Sequence, residues 1–223
     1  MAVFEVVEKQ GLKMIKAHLT NETVTAEAGA LHYMQGQVRM DVAAPTAGGF
    51  LKAMASGESI IRPTYTGTGM VCYGPPIFGE YTILELQGHQ WILDRGAYVC
   101  SDGQIKVSVI RNKLVAGLMG GEGLWQTSVE GHGHVVIMSG GPLEAIDLNN
   151  DELTVDGNFA VARIGNIEFS YEKASKGWLA SAASGEGFVN KFRGTGRILL
   201  SPVPNVWHNV VHTIITSFPT SSS

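Results

Sequence analysis

The chain has 223 residues, of which 44% are hydrophobic, 16% are charged and 28 are glycines, with a formal net charge of -4. Lys and Arg are scattered along the sequence, which argues against the basic surface that nucleic-acid binding requires. Many glycines in a sequence without low complexity indicate the tight turns and bulges of an all-β fold with short strands.

Targeting signals and cysteine usage indicate the cellular compartment of a protein. The opening residues MAVFEVVEKQGLK lack the basic start and apolar core of a signal peptide. No apolar run reaches the roughly 18 residues that span a bilayer, so we expect a cytoplasmic protein without a transmembrane segment. Cys72 and Cys100 each lie in an apolar, strand-like run. We expect both to be buried reduced thiols rather than a disulfide or part of a metal site.

In chain order, the predicted elements begin with a motif that occurs three times. This first motif runs acid, glycine, strand, glycine, alternating strand: EAGALHYMQGQVRMDV from Glu27, DRGAYVCSDGQIKVSV from Asp94 and DGNFAVARIGNIEFSY from Asp156. The alternation of apolar and polar residues in QVRMDV, QIKVSV and NIEFSY predicts strands with one buried face. A glycine stands before each of these strands and predicts a tight hairpin turn with positive φ: Gly36, Gly103 and Gly165.

A second motif follows each copy of the first. It begins with a short apolar segment, GGFLKAMA, KLVAGLMG or KGWLASAA, which fits a short helix or a strand equally well. A Gly-Glu pair, a Gly-x-Gly triplet and an apolar strand come next. The pairs begin at Gly57, Gly121 and Gly185, 64 residues apart in both intervals, and the triplets begin at Gly67, Gly131 and Gly194, 64 and 63 residues apart. Because the triplets lead into strands, they indicate bulges or turns rather than a phosphate-binding loop.

Together the two motifs predict one all-β domain over residues 1–208, built of three internal repeats of about 64 residues. The repeats cover about 1–78, 79–140 and 141–208. Equivalent units in one chain are expected to pack around a common axis, and closing the ring removes exposed sheet edges. We therefore expect a closed or nearly closed pseudo-threefold arrangement that resembles a β-sandwich or barrel.

Residues 209–223 depart from the repeat and are expected to form a C-terminal extension with a frayed tail after Pro219. Around the start of this extension, five apolar residues stand at helix-like spacing: Trp207, Val210, Val211, Ile214 and Ile215. This spacing predicts a short amphipathic segment that docks on the β domain or on a partner.

Five segments of the chain together resemble one protein family: AGALHYMQG, FLKAMASGES, LWQTSVEGHGHVVIMSGG, DLNNDELTVDGNFAVAR and SGEGFVNKFRGTGRILL. In this order, over about residues 1–208, they resemble the altered-inheritance-of-mitochondria family. The resemblance implies an all-β fold similar to that of the tryptophan RNA-binding attenuation protein, as three repeats in one chain. It also implies an interaction role, because mitochondrial members are associated with inner-membrane organisation. It does not imply RNA binding, since function lies in sites rather than in folds, and it supplies no catalytic residues.

The first candidate site consists of Glu58, Glu122 and Glu186, which follow a glycine at the same position of each repeat. A pseudo-threefold axis would place them on a ring of common radius, and close to the axis their carboxylates could bind a cation. The structural alternative is that each Glu lies in a turn, where it accepts backbone N–H bonds or pairs with a nearby cation.

The second candidate site is the histidine pair of the segment EGHGHVV, His132 and His134. Residues i and i+2 of a strand face the same side, so both rings could reach one metal ion, with Glu130 as a third ligand. The other two repeats have no histidine at these positions. A solvated pair is the alternative, because a metal site needs three or four converging ligands.

No nucleophile elbow, Walker loop or dinucleotide fingerprint occurs in the sequence. The sequence therefore favours a non-enzymatic scaffold or interaction protein without a cofactor. We expect it to self-associate and to have a protein partner. Peripheral association with a membrane complex is compatible with this expectation. The alternatives are a metal-dependent enzyme of cupin-like type centred on His132 and His134, and a small-ligand binder with an axial or inter-repeat pocket.

Overall fold

The computed structural model describes residues 1–42, 62–74, 79–112, 124–156, 159–173, 188–203, 210 and 213–214. The described residues form thirteen strands in two antiparallel sheets, in agreement with the all-β prediction. The Gly-Glu pairs and the short apolar segments that precede them lie outside the described residues.

The strands are numbered in chain order. They are β1 (Val3–Lys9), β2 (Leu12–Ala26), β3 (Leu31–Asp41), β4 (Thr64–Tyr73), β5 (Glu80–Gln87), β6 (Trp91–Leu93), β7 (Tyr98–Asp102), β8 (Lys106–Asn112), β9 (Leu124–Glu130), β10 (His132–Ser139), β11 (Glu144–Asp156), β12 (Ala160–Lys173) and β13 (Phe188–Leu200). The first sheet has the order β3-β4-β2-β7-β10-β5, with β1 added against β2. The second sheet has the order β11-β13-β12-β6-β9-β8.

Three segments of the chain build these sheets with the same local order. In the first segment (β2 to β4) and the third (β11 to β13), the last strand lies between the other two. In the middle segment (β5 to β10), the strands form three consecutive pairs: β5 and β6, β7 and β8, and β9 and β10. The two strands of each pair belong to different sheets, like the halves of one interrupted strand. The middle segment therefore links the two sheets, and each half again places its last strand in the centre.

The predicted hairpin is wrong at all three glycines. Gly36 and Gly165 lie inside the continuous strands β3 and β12. Their φ angles of 99° and 105° are positive as expected, but the strands bend there instead of reversing. At Gly103 the chain does turn, yet β7 and β8, on either side of it, join different sheets and form no hairpin.

The bend in each long strand is possible because glycines face one another across the ladder. Gly36 lies opposite Gly69, and Gly165 lies opposite Gly196. A Cβ atom on Gly69 would come within 2.2 Å of the carbonyl oxygen of Gln35, and one on Gly196 within 2.2 Å of that of Ile164. The first and third Gly-x-Gly triplets thus lie within β4 and β13, where backbones approach too closely for a side chain. The second triplet lies at the β9–β10 break, where a Cβ on Gly133 would instead meet the Asp102 side chain, 2.8 Å from a carboxylate oxygen.

A bulge on the neighbouring strand accompanies each bend. The register of β2 shifts at Asn21 and that of β11 shifts at Asn150. Both asparagines have a left-handed backbone, with φ angles of 57° and 54°, and each donates its backbone N–H to a threonine hydroxyl at 3.0 Å: Thr68 and Thr195. Extra residues of this kind increase the local bend of a strand.

Apolar side chains are buried in three clusters, and the first two combine residues from neighbouring segments. The first contains Tyr65 and Tyr73, whose rings meet edge to face at 5.4 Å between centroids. A second cluster lies between the two sheets, and a third lies in β11 to β13 around Phe169 and Phe192. Cys72 and Cys100 are free and buried, as predicted, and burial raises the pKa of both thiols.

Little of the C-terminal extension belongs to the described residues. Val210 and Ile214 have helical backbone, which agrees with the predicted spacing, but both side chains are exposed. Trp207, Val211 and Ile215 lie outside the described residues. Within the described part of the chain, no helix has the length and hydropathy needed to cross a bilayer.

Candidate functional site

The three repeated glutamates, Glu58, Glu122 and Glu186, lie outside the described residues. Their convergence around an axis therefore stays a prediction.

The residues of the histidine candidate lie at the junction of β9 and β10. His132 and Glu130 are exposed. The backbone carbonyl of His132 accepts a 2.7 Å hydrogen bond from the Gln104 side chain, and Glu130 lies opposite Lys106 in the β8–β9 ladder. Among the residues that the structure describes, no three His, Cys, Asp or Glu side chains are placed to hold a metal ion.

His134 lies instead beside a buried acid, Asp102. One Asp102 carboxylate oxygen accepts the backbone N–H of His134 at 2.7 Å, and the other accepts that of Ala2 at 2.9 Å. The Nδ1 atom of His134 is 3.3 Å from the first of these oxygens, and Phe4 lies edge-on to the ring. Asp102 is 2% exposed. Its carboxylate links the residue before β1 and the start of β10 to the end of β7, which is a structural role.

Sequence reasoning did not single out Asp102. Its signal is an acid at the end of the apolar run AYVCSD, directly before Gly103. A buried carboxylate needs hydrogen-bond donors, and here two backbone N–H groups supply them.

A third candidate site, which was not identified from the sequence, lies at the strand edges through which the segments join. The first junction pairs the end of β2 with β7: Val24, Thr25 and Ala26 lie opposite Asp102, Ser101 and Cys100. After the last pair, the backbone N–H of Glu27 donates to the carbonyl of Val99 at 2.8 Å.

The second junction repeats this alignment between β6 and β12. Trp91, Ile92 and Leu93 lie opposite Ile164, Arg163 and Ala162. The backbone N–H of Asp94 then donates to the carbonyl of Val161, again at 2.8 Å. Glu27 and Asp94 are the acids of the first sequence motif, so the motif marks the same point of both junctions.

The edges of β3 and β11 remain open in the described parts of the chain. There, β3 pairs with β4 alone and β11 with β13 alone, at the ends of the two sheets. On β3, Tyr33 is 46% exposed and Met34 is 43% exposed. The corresponding residues of β7, Cys100 and Ser101, are completely buried in the first junction. The β3 edge thus presents apolar side chains and free ladder positions to solvent, which favours pairing with another strand.

Two of the five acids of β11 form ion pairs with cations of its neighbour β13. Arg197 donates two hydrogen bonds to Asp147, at 2.6 and 2.9 Å, and these bonds lower the pKa of Asp147. Glu152 accepts a bond from Arg193 and lies near Lys191, which lowers the pKa of Glu152. These pairs are exposed, so they contribute little stability.

Comparison with known proteins extends these observations. Residues 4–203 match the model of a family described as mitochondrial biogenesis AIM24. A protein of Streptococcus pyogenes serotype M6, itself called uncharacterised, is 31% identical over 152 residues, which cover 67% of this chain and 61% of that protein. The chain therefore matches about three fifths of that relative's length. A crystal structure of another S. pyogenes protein is similar with a TM-score of 0.76 at 24% identity, and the match covers 98% of this chain and 100% of that one.

Proposed function

This chain belongs to the mitochondrial biogenesis AIM24 family, and from that premise we propose that it is a non-enzymatic interaction protein that assembles with copies of itself. The observation that carries the proposal is the open, apolar edge of β3, together with the open edge of β11. In the assembly, β3 of one copy pairs with β11 of the next copy.

The two internal junctions specify the register of this third one. Counted from the motif glycines, Gln35, Met34 and Tyr33 correspond to Asp102, Ser101 and Cys100. Counted from the motif acids, Leu153, Thr154 and Val155 correspond to Val24, Thr25 and Ala26. The expected pairs are therefore Leu153 with Gln35, Thr154 with Met34 and Val155 with Tyr33. Asp156 then corresponds to Glu27, and its backbone N–H donates to the backbone carbonyl of His32.

This register also supports a description of the three segments as copies of one unit, which is similar to the tryptophan RNA-binding attenuation protein. Each junction joins one such unit to the next. A third junction between copies is a head-to-tail contact, which builds a ring when the rotation closes and a filament when it does not. A pseudo-threefold ring closed within one chain would use the same two edges, so an experiment has to separate the two cases.

Cysteine cross-linking separates them. We expect a mixture of two single variants, Met34→Cys and Thr154→Cys, to give a disulfide-linked dimer under mild oxidation, because paired strands place Cα atoms about 4.5–5.5 Å apart. Neither single variant contains both new thiols, so this dimer reports contact between copies only. The native Cys72 and Cys100 are buried and should not react. The matched control replaces Met34→Cys by Gln37→Cys, which lies on the same strand outside the proposed register.

The double variant Met34→Cys/Thr154→Cys supplies the opposing result. A cross-linked monomer from it, without a dimer from the mixed single variants, would show closure within one chain and overturn assembly through these edges. An absence of both products would overturn the contact itself. Sedimentation of the unmodified protein at several concentrations should show an assembled species whose amount falls in Met34→Lys, since a charge on an edge opposes strand addition.

The partner beyond its own copies is proposed to be a protein in a membrane-associated complex, which it approaches from outside the bilayer. The exposed apolar pair Val210 and Ile214 supports a protein partner. Capture of the protein from its native cell should recover such a complex, and Val210→Ser/Ile214→Ser should weaken the recovery. Recovery of the protein alone would remove this part of the proposal.

A further inference from the structure

Residues of the middle and third segments line a cavity that the proposed assembly does not use. It has a volume of about 470 Å³ and lies where β12 and β13 meet β6 and the turn that follows β6. This volume is within the range of about 300–1,000 Å³ that small-molecule sites occupy. Phe169, Phe192, Ile92 and Val161 contribute to its wall, and Gln126 and Arg163 contribute polar groups.

Arg163 is the central polar residue of this cavity. Its guanidinium donates one hydrogen bond, at 3.0 Å, to the side-chain oxygen of the buried Gln126, and it lies 5.2 Å from the centre of the Phe169 ring. Among the described residues, no Asp or Glu oxygen lies within 4.0 Å of this guanidinium to form an ion pair. Burial lowers the pKa of Arg163 to about 10, although Asp94 opposes the shift, so the group is still a cation at neutral pH.

A partly buried cation that lacks a close carboxylate is costly, and an anionic ligand would offset the cost. A guanidinium offers five N–H donors in a planar fork that matches a carboxylate, and Gln126 takes one of them. The described lining contains Arg163, Arg95 and Asp94 as charged residues, so its formal charge is that of one cation. This favours a monoanion over a phosphate ester, and the aromatic wall favours an apolar body.

We propose that this cavity binds an organic monocarboxylate with an apolar arylalkyl body, whose carboxylate pairs with Arg163 and whose body packs against Phe169 and Phe192. The site is independent of the β3 and β11 edges, so either proposal can fail without the other.

The test needs no variant at first. Isothermal titration calorimetry compares 4-phenylbutyrate with its neutral amide, 4-phenylbutyramide, on the full chain. We expect the carboxylate to bind at least tenfold more tightly, because a charge-assisted bond to a guanidinium contributes more than a neutral one. A third ligand, 4-phenylbutyl phosphate, should bind no better than the carboxylate. Equal affinities for acid and amide, preference for the phosphate, or no binding of the carboxylate at millimolar concentration would each overturn the proposal.

Variants then locate the site. In Arg163→Gln, checked by circular dichroism for a native spectrum, the preference for acid over amide should be lost, whereas Arg163→Lys should keep part of it. Arg39→Gln is the matched control, because Arg39 is an exposed arginine on β3. An unchanged preference in folded Arg163→Gln would place the anion elsewhere and refute the assignment. Should that variant not fold, Phe192→Leu should weaken both ligands alike, and unchanged affinities there would also refute it.

Discussion

Replacement of Gly69 by alanine should destabilise the protein far more than replacement of Gly29. Both glycines have positive φ angles, 154° and 84°. At Gly69, a Cβ atom would lie 2.2 Å from the backbone oxygen of Gln35 and 3.1 Å from the Cα of Gly36. At Gly29, no atom lies within 4 Å of the added Cβ. The pair therefore separates the effect of close strand approach from that of backbone conformation.

The expected magnitude follows from these distances. An unfavourable backbone conformation costs about 1–3 kcal/mol at either site. The smaller entropy of an unfolded chain with alanine affects both variants equally. At Gly69 the clash involves backbone atoms, so β3 must move away from β4. Such overpacking costs about 1–3 kcal/mol, and each ladder hydrogen bond that breaks costs about 1 kcal/mol more. Gly69→Ala should therefore lose about 2–4 kcal/mol more than Gly29→Ala, out of a typical total of about 5–15 kcal/mol.

Urea unfolding followed by circular dichroism measures this difference directly. Linear extrapolation gives the free energy of unfolding of each variant in water. Gly196→Ala should behave like Gly69→Ala, because its Cβ would lie 2.2 Å from the Ile164 oxygen. A difference of less than about 1 kcal/mol between the losses of unfolding free energy in Gly69→Ala and Gly29→Ala would be smaller than the cost of the steric clash alone. It would show that close backbone approach is not the reason for glycine at position 69.

Three further changes test the interior. Asp102→Asn should lose about 1.5–3 kcal/mol of unfolding free energy, because an amide leaves one of the two backbone donors without an acceptor; exposed Asp41→Asn is the control, and equal losses would contradict the role of Asp102. Tyr73→Phe should be neutral or stabilising at pH 7, since the buried Tyr73 hydroxyl has no hydrogen-bond partner among the described residues; a loss above about 1 kcal/mol would refute this. Burial raises the pKa of Cys100 and Tyr98, so above about pH 9 the unfolded chain binds fewer protons than the folded one, and the urea midpoint should fall as pH rises; a midpoint that is flat from pH 7 to 10.5 would contradict it.

Sequence patterns predicted the strands well but not their continuity. Alternation in QVRMDV and NIEFSY correctly indicates strands. A glycine with positive φ, however, fits both a turn and a bent strand, and only the facing glycine on the next strand decides between them. Gly36 and Gly69 are 33 residues apart in sequence, so their contact cannot be recognised from either motif alone.

The strand-edge and cavity sites could not be predicted from the sequence for a related reason. An open edge is a property of sheet order, and the order of β3 and β11 follows from pairings between distant segments. Arg163 likewise reads as an ordinary polar residue in the alternating strand FAVARIG. Its proximity to Gln126 results from the fold, since Gln126 lies on β9 whereas Arg163 and Phe169 lie on β12.

Asp102 explains why the middle segment breaks where the outer segments bend. It stands directly before the second motif glycine, where the outer segments have Gln35 and Ile164. Those two residues continue the ladder opposite Met70 and Arg197. At the corresponding point of the middle segment, the Asp102 side chain, rather than a strand partner, accepts the backbone N–H of His134. Because a carboxylate ends the ladder there, β8 is free to leave the first sheet and enter the second. The middle segment can then join both outer segments, and in the described parts of the chain each sheet has an outer-segment strand at one end, β3 or β11, and a middle-segment strand at the other, β5 or β8.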